Sequence, residues 1–311
     1  MKNKAPKISV CIPTYNHAHF LEDATGSVLG QTFSDLELII VDNCSTDNTR
    51  DIVEKYTALD SRIKYYWNEE NIGAQNNFNR CLQYAAGEYV KILCADDLLE
   101  PTCLEKSADI LDSHPLVTLV ASARLLVTED LQVIGTWAYS PKPELTDGVE
   151  VINKCLVYSN LIGEPSAVMF RKKHAQRGFD TRYKQLIDLE MWFHLLEQGS
   201  FAYIPETLCK FRQHKGQNTK AYLGSFTVIE DEFLLYNDYI HRPYIHLSSV
   251  SRLRVKYRTL VRIWNLSYDG VSFDILKSKV TAQYGSLLSS LVLYLKQMRN
   301  AVSTLFKRHD Q

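Results

Sequence analysis

The spacing of apolar positions changes along the chain, and the changes mark out its elements. Ile8-Ser-Val-Cys-Ile12 is a short apolar run closed by Pro13-Thr-Tyr-Asn16, and Phe20, Leu21, Ala24, Val28 and Leu29 then recur at helical spacing up to a stop at Gly30. Leu36-Glu-Leu-Ile-Ile-Val41 is more continuously apolar, as a strand in the middle of a parallel sheet must be, and it ends at Asp42-Asn43. Ser45-Thr-Asp-Asn-Thr49 offers caps for a helix carrying Ile52, Val53 and Tyr56. Ile63–Trp67 reads as a third strand, Asn68–Gly73 as a loop, and Phe78, Cys81, Leu82 and Ala85 as the buried side of a helix that Gly87 terminates. Glu88-Tyr-Val-Lys-Ile-Leu-Cys-Ala-Asp-Asp97 begins as a β-prone run and ends in two adjacent carboxylates.

Three strand–helix alternations followed by a fourth strand predict right-handed βαβ units in a doubly wound α/β sheet. In such a sheet the carboxyl ends of the strands line one crevice, where ligands bind. Each strand here ends in polar residues: Thr14-Tyr-Asn16, Asp42-Asn43, Asn68 with Asn71, and Asp96-Asp97. Neither GxGxxG nor GxxxxGK[ST] occurs, which excludes a dinucleotide cradle or a P-loop.

Beyond Asp97 the period changes. Thr102 and Glu105 have the spacing of a capping box before a helix with Leu104, Ala108, Ile110 and Leu111 on its buried face. Leu116–Ala121, Arg124–Val127 and Gln132–Trp137 predict strands with antiparallel pairing, Pro141–Gly148 a loop, and Ala167–Arg171, Phe201–Ile204 and Leu208–Phe211 further strands. Leu186–Glu197 is a helix with Asp188 near its start. From Tyr222 onward the pattern is helical and amphipathic. Leu253, Tyr257, Leu260, Val261 and Trp264 form one apolar stripe, and Leu287, Leu288, Leu291, Leu295, Met298, Val302 and Leu305 another.

The near-zero net charge of −1 hides an asymmetry, because residues 251–311 hold eleven Lys/Arg against three Asp/Glu. A basic amphipathic tail fits a peripheral contact with the inner face of a membrane, packing on the catalytic domain, or a homodimer. No nucleic-acid-binding signature accompanies the basic stripes, so nucleic acid is not expected as a partner. The seven cysteines are scattered without a CxxC pair, which argues against a zinc site or a disulfide framework. With neither an apolar signal core nor an apolar stretch of about 18 residues, the expected location is the cytoplasm.

Taken in order, Val10-Cys-Ile-Pro-Thr-Tyr-Asn16, Gln31-Thr-Phe33, Ile40-Val-Asp-Asn-Cys-Ser-Thr-Asp-Asn-Thr49, Asn71-Ile-Gly73, Ala86-Gly-Glu-Tyr89, Ala95-Asp-Asp97, Asp188-Leu-Glu-Met-Trp192 and Phe211-Arg-Gln-His214 resemble the family 2 glycosyltransferases of bacterial polysaccharide biosynthesis, which have the GT-A fold. The resemblance implies a GT-A domain over 1–220, with a nucleotide-binding half to about residue 100 and an acceptor half after it, and a helical extension over 221–311. It assigns Thr14, Tyr15, Asn16, Asp42, Asn71, Asn79 and Asp96 to the nucleotide-sugar donor, Asp97 and His214 to Mn²⁺ or Mg²⁺, and Asp188 to the catalytic base. Glu164, in Gly163-Glu-Pro-Ser166, is either an acceptor contact or a loop acid. Two positions depart from the family pattern: Cys94 stands where an acid is common, and Phe78 stands where an arginine is common.

The chemistry needed for sugar transfer matches those residue types. A divalent ion neutralises the departing diphosphate, one carboxylate takes the acceptor proton, and the transition state is oxocarbenium-like. A single base without a second nucleophilic carboxylate implies inversion. Glu190 is the rival base, but two residues on a helix turn it away by about 200°. The expected donor is a UDP-hexose or UDP-N-acetylhexosamine, and the expected acceptor a hydroxyl of a glycan or lipid-linked sugar. The competing readings are a sugar-1-phosphate nucleotidyltransferase, which wants a glycine-rich basic first loop absent here, and a nucleotide-sugar-binding protein without chemistry.

Overall fold

A computed structural model describes residues 5–217 and 226–265. The chain divides into two units, Met1–Gln217 and Asn218–Gln311. In the first, β1 (Ile8–Thr14), β2 (Leu36–Asp42), β3 (Ile63–Trp67) and β4 (Tyr89–Ile92) alternate with α1 (Ala18–Leu29), α2 (Thr49–Leu59) and α3 (Ala74–Tyr84). The strands run parallel in the order β3-β2-β1-β4. Every residue of β2 and β4 is buried, as expected of largely apolar strands covered on both faces, and Glu37 and Lys91 are buried with them. The winding reverses between β1 and β4, which leaves Thr14 and the turn after β4 on either side of the switch point.

The sheet then continues with β9 (Val168–Arg171), antiparallel to β4, and with β6 (Val117–Thr128) and β10 (Ser200–Gln213), parallel to each other. Short β5 (Leu98–Leu99) closes the far edge, while β7 (Val133–Trp137) pairs with β6 and β8 (Glu144–Asp147) with β10. The mixed sheet with helices on its faces is a GT-A architecture.

Four expectations are corrected here. The two strands expected on either side of Ser122-Ala123 are one, because those residues are buried and β10 runs alongside throughout. The two expected around Pro205 are also one, carried through by register shifts between Ile204 and Cys209 that accommodate a residue with no amide hydrogen. The loop expected over 141–148 contains β8, and Asp147 Oδ1 accepts the Val149 amide at 2.9 Å to start an unforeseen helix, α5 (Gly148–Tyr158). Val151, Ile152, Cys155 and Leu156 on its buried face carried the signal. Glu105 does not close a capping box on α4 (Cys103–Ser113); its carboxylate accepts the Thr32 hydroxyl instead.

In the second unit the structure describes α7 (Phe226–Ile240) and α8 (Ser249–Asn265), with an Arg258–Glu232 ion pair at 3.9 Å between them. The stripe expected over 287–305 lies outside the described residues. No helix among the described residues is long and apolar enough to cross a membrane.

Gly87 makes the closest approach between β1 and the segment leading into β4: an added Cβ would lie 2.6 Å from the Ser9 amide nitrogen. Gly26 sits in α1 with nothing within 4 Å of that position. Gly87→Ala is therefore expected to cost about 1–3 kcal/mol by overpacking, and Gly26→Ala to stabilise by about 0.5–1 kcal/mol. Urea denaturation midpoints of the two variants check both signs.

Candidate active site

At the carboxyl ends of β1 and β2, parallel register sets Thr14 opposite Asp42. Asp42 is buried, with Oδ1 accepting the Ser45 amide and Oδ2 the Tyr65 hydroxyl, each at 2.8 Å. Thr14 is buried too, and its Oγ1 has no hydrogen-bond partner. Asn16 adopts the left-handed conformation (φ 54°), and its Oδ1 accepts the Thr46 amide at 2.8 Å, which pins the first loop to the second. Tyr15, between them, is 43% exposed. Beneath these loops lies a carboxamide network. Asn43 donates to Asn71 at 2.8 Å and accepts from Asn68 at 3.0 Å, while Asn68 donates to Asn77 at 3.0 Å. Asn77 in turn donates to the Val41 carbonyl.

The turn after β4 carries the acids, and they face different surroundings. Asp96 Oδ2 lies 2.9 Å from His214 Nε2, and both side chains are largely buried. Phe20 packs against His214 with ring centroids 4.7 Å apart, and His17 stands edge-on to His214 at 6.1 Å. Asp97 is fully buried: Oδ2 accepts the Ser166 hydroxyl at 2.5 Å and Oδ1 the Arg212 amide at 2.9 Å. Burial, with Asp96 beside it, pushes its pKa well above the ordinary carboxylate range.

Alongside the second half of the sheet, Asp188 lies in the first turn of α6 (Ile187–Leu196) and keeps some exposure. Burial raises its pKa to about 7, with the Glu164 charge adding to the effect and the Leu189 amide and Arg124 opposing it. The Asp188 charge also acts on the partly buried Cys94 thiol, so this carboxyl lies near the turn after β4. Glu190 is buried and held by Arg177 through two contacts of 2.8 and 2.6 Å, which removes the rival base from the crevice. Glu164 Oε2 approaches Nε of the buried Arg124 to 2.5 Å, an ion-pair contact that lacks hydrogen-bond alignment.

Residues 9–177, more than half of the chain, match the family described as Glycosyl transferase family 2. The chain belongs to that family. It is a glycosyltransferase. It is 32% identical over 214 residues to TuaG of Bacillus subtilis (strain 168), named as a teichuronic acid biosynthesis glycosyltransferase, covering 68% of this chain and 81% of TuaG. Among solved structures it is similar to S. aureus TarS (residues 1–349) in complex with UDP-GlcNAc, with a TM-score of 0.66 at 18% identity over 93% of this chain and 79% of that one. It is also similar to the mannosyltransferase PcManGT of Pyrobaculum calidifontis in complex with GDP-Man and Mn²⁺, with a TM-score of 0.61 at 17% identity over 99% of this chain and 83% of that one. These two likenesses bear on the fold.

Within this glycosyltransferase, several donor-side expectations meet residues already engaged. Asn71 Oδ1 accepts from Asn43 and from the Gly73 amide, so its side chain shapes the loop. Asn79 donates to the Phe179 carbonyl and accepts the Phe179 amide at 2.9 and 2.7 Å. It ties α3 to the 178–179 turn, and both halves of its carboxamide are used there. For a metal, ligand atoms of Cys94, Asp96 and Asp97 lie within 4.8 Å of one another. Both oxygens of Asp97 are already occupied by protein donors, however, and burial pushes the Cys94 thiol well up, against the thiolate a metal needs. Asp96 with His214 is the pair whose chemistry fits a divalent ion.

Sequence reasoning missed Tyr65 and Arg124, which carry no motif and gain meaning only through pairing across the sheet. Ser166 stood inside the Gly163-Glu-Pro-Ser166 segment, yet its bond to Asp97 spans 69 residues and has no local signature.

Truncating Asp97 to alanine leaves a buried amide and hydroxyl unsatisfied, at about 1–3 kcal/mol each. Asp97→Ala is expected to lower the melting temperature by several degrees, whereas Asp96→Ala leaves it nearly unchanged; differential scanning fluorimetry distinguishes the two.

Proposed function

We propose that this glycosyltransferase transfers a sugar from a nucleoside-diphosphate donor, a UDP-hexose or UDP-N-acetylhexosamine, to a hydroxyl of a glycan or lipid-linked acceptor in surface polysaccharide synthesis, inverting the anomeric centre. The observation that carries this reading is Asp188, a carboxyl whose pKa burial raises to about 7 near the turn that holds the acids after β4. A base poised near the working pH combines ready proton uptake with a substantial deprotonated fraction. The acceptor oxygen attacks C1 from the face opposite the diphosphate, and its proton passes to Asp188. The C1–oxygen bond to the diphosphate breaks, and its electron pair leaves with the nucleoside diphosphate.

Thr14, with its unpartnered hydroxyl, and Asp42 take the base of the nucleotide, with Tyr15 and Asn16 at the rim. Asp96 and His214 would hold Mn²⁺ or Mg²⁺, which supplies a Lewis acid to the leaving diphosphate. An imidazole in the ligand set favours Mn²⁺ over Mg²⁺, a cation that prefers oxygen ligands. Asp97 stands behind Asp96 as its support. The UDP-GlcNAc and GDP-Man in the structures of TarS and PcManGT support the donor class, and the likeness to TuaG, named for teichuronic acid biosynthesis, supports the polysaccharide setting.

We assign residues 1–220 to catalysis and the extension to acceptor access. In α8, exposed Val250 and Leu253 stand among exposed Arg252 and Arg254, a combination suited to an anionic membrane surface. Replacing Val250 and Leu253 by aspartate is expected to reduce co-sedimentation with phosphatidylglycerol vesicles; unchanged sedimentation would exclude this face as the contact.

Asp188→Asn is expected to abolish transfer while leaving UDP-sugar affinity within about twofold by calorimetry, since a base acts in the transition state. In the wild type the rate rises with pH through about 7, because the base works deprotonated. Stability runs the other way. A carboxyl whose folded pKa is raised favours folding below its unfolded value, near 4, and loses that contribution as pH climbs through about 7. Asp188→Asn should flatten this decline in thermal melts at pH 5 to 8. Calorimetric Mn²⁺ titration in the presence of UDP should fail for Asp96→Ala and His214→Ala; normal binding by either variant would remove that residue from the metal site.

A further inference from the structure

The segment between α5 and Pro165 is held by a single carboxamide. Asn160 Oδ1 accepts the Ile162 and Gly163 amides at 3.1 and 3.0 Å, and its Nδ2 donates to the Gly163 carbonyl at 3.3 Å and to Asp188 Oδ2 at 3.4 Å. Both faces of the amide are therefore in use. Helix α6 grips the same segment a second time, through Trp192 Nε1 donating to the Gly163 carbonyl at 3.0 Å. Asp188 and Trp192 are four residues apart and share one face of the helix. The turn is thus clamped to α6 at two adjacent points, one of them Asp188 itself.

Past the clamp, Gly163 has φ +127°, and a Cβ there would lie 2.8 Å from Arg124 Nη1, so only glycine lets the backbone pass this close to the guanidinium. Glu164 follows directly and meets Arg124. The carboxyl of Asp188 has a second bond, from the adjacent Leu189 amide to Oδ1 at 2.7 Å. Asn160 Nδ2 donates to its other oxygen.

We propose that Asn160 is a positioning residue for the transfer reaction, whose carboxamide fixes the orientation of the Asp188 carboxylate and couples it to the turn that presents Glu164. The inference rests on the reading of Asp188 as the base. Its physical content is that the side-chain amide donates to Oδ2 while the helix amide donates to Oδ1, so the carboxylate plane is set by two donors on different elements. The bond to Oδ2 is the longest of the four that Asn160 makes, and it strengthens as Asp188 takes on full charge.

The deciding variant is Asn160→Asp. It keeps an oxygen acceptor for the Ile162 and Gly163 amides but turns a carboxylate toward Asp188. The readouts are the pH profile of kcat, the KM for the UDP-sugar and the melting temperature. Expected are a kcat lowered about tenfold or more at neutral pH, an ascending limb displaced upward by about one pH unit or more through like-charge repulsion, and an unchanged donor KM. A role confined to the turn would not move the limb. If Asn160→Asp melts more than about 5 °C below the wild type, Asn160→Ser, which keeps a turn acceptor but is too short to reach Asp188, is measured in its place; it too is expected to lower kcat about tenfold or more with donor KM unchanged. A variant with wild-type kcat and limb overturns the proposal. Asp188→Asn separates the two failures. If it still transfers sugar, the base assignment falls and takes this inference with it. If it is inactive while the Asn160 variants behave as wild type, the base stands and only the positioning role falls.

Discussion

The hydrogen bonds that the Ser166 hydroxyl and the Arg212 amide give to the Asp97 carboxyl tie together three segments distant in sequence: the turn after β4, the bend before β9 and the end of β10. Ser166 also receives the Cys94 amide, so the turn is held from both sides. A buried carboxyl is costly unless its oxygens are satisfied, and here both are satisfied by elements of the antiparallel half. The parallel half thereby acquires its position against the rest of the sheet at the point where Asp96 must face His214. Arg212 continues the connection, donating to Asp23 at 2.8 Å with its guanidinium 4.5 Å over the Phe20 ring. The interaction that holds the site together is thus one residue removed from the chemistry.

That arrangement explains which parts of the molecule were legible in the sequence. The parallel half announces itself because each of its constraints is local: a buried strand is apolar throughout, a helix repeats every three to four residues, and a strand end turns polar. The second half obeys constraints that are not local. Whether Ser122-Ala123 is a break or part of β6 is decided by β10 lying alongside, and Pro205 interrupts nothing because bulges absorb it. Helix α5 was missed despite a readable cap at Asp147 and a regular apolar face, because the prolines at 141 and 143 drew attention to a loop.

The candidate site divides in the same way. Thr14, Asp42 and Asp96 were visible because they lie at or just past the carboxyl ends of parallel strands, and Asp188 because it opens a helix with a clear apolar face. The roles within each cluster were not. Asp96 and Asp97 are neighbours with the same side chain, and what separates them is burial against Ser166 and Arg212, which lie 69 and 115 residues from Asp97. Asn71 and Asn79 have the right chemistry for a polar ligand, yet the Asn71 carbonyl and both halves of the Asn79 amide are used in holding the loops. Spacing reveals which residues gather, and hydrogen-bond accounting then reveals which of them have capacity left.

The carboxamide network under the donor loops, Asn43, Asn68, Asn71 and Asn77, carries no ionisable group. Amides neither gain nor lose protons around neutrality, so the framework that shapes these loops is the same at every pH a cell visits. Asp188, on the opposite wall, changes protonation in that range. In the proposed reaction the group that responds to acidification is thereby set apart from the amides that hold these loops in shape.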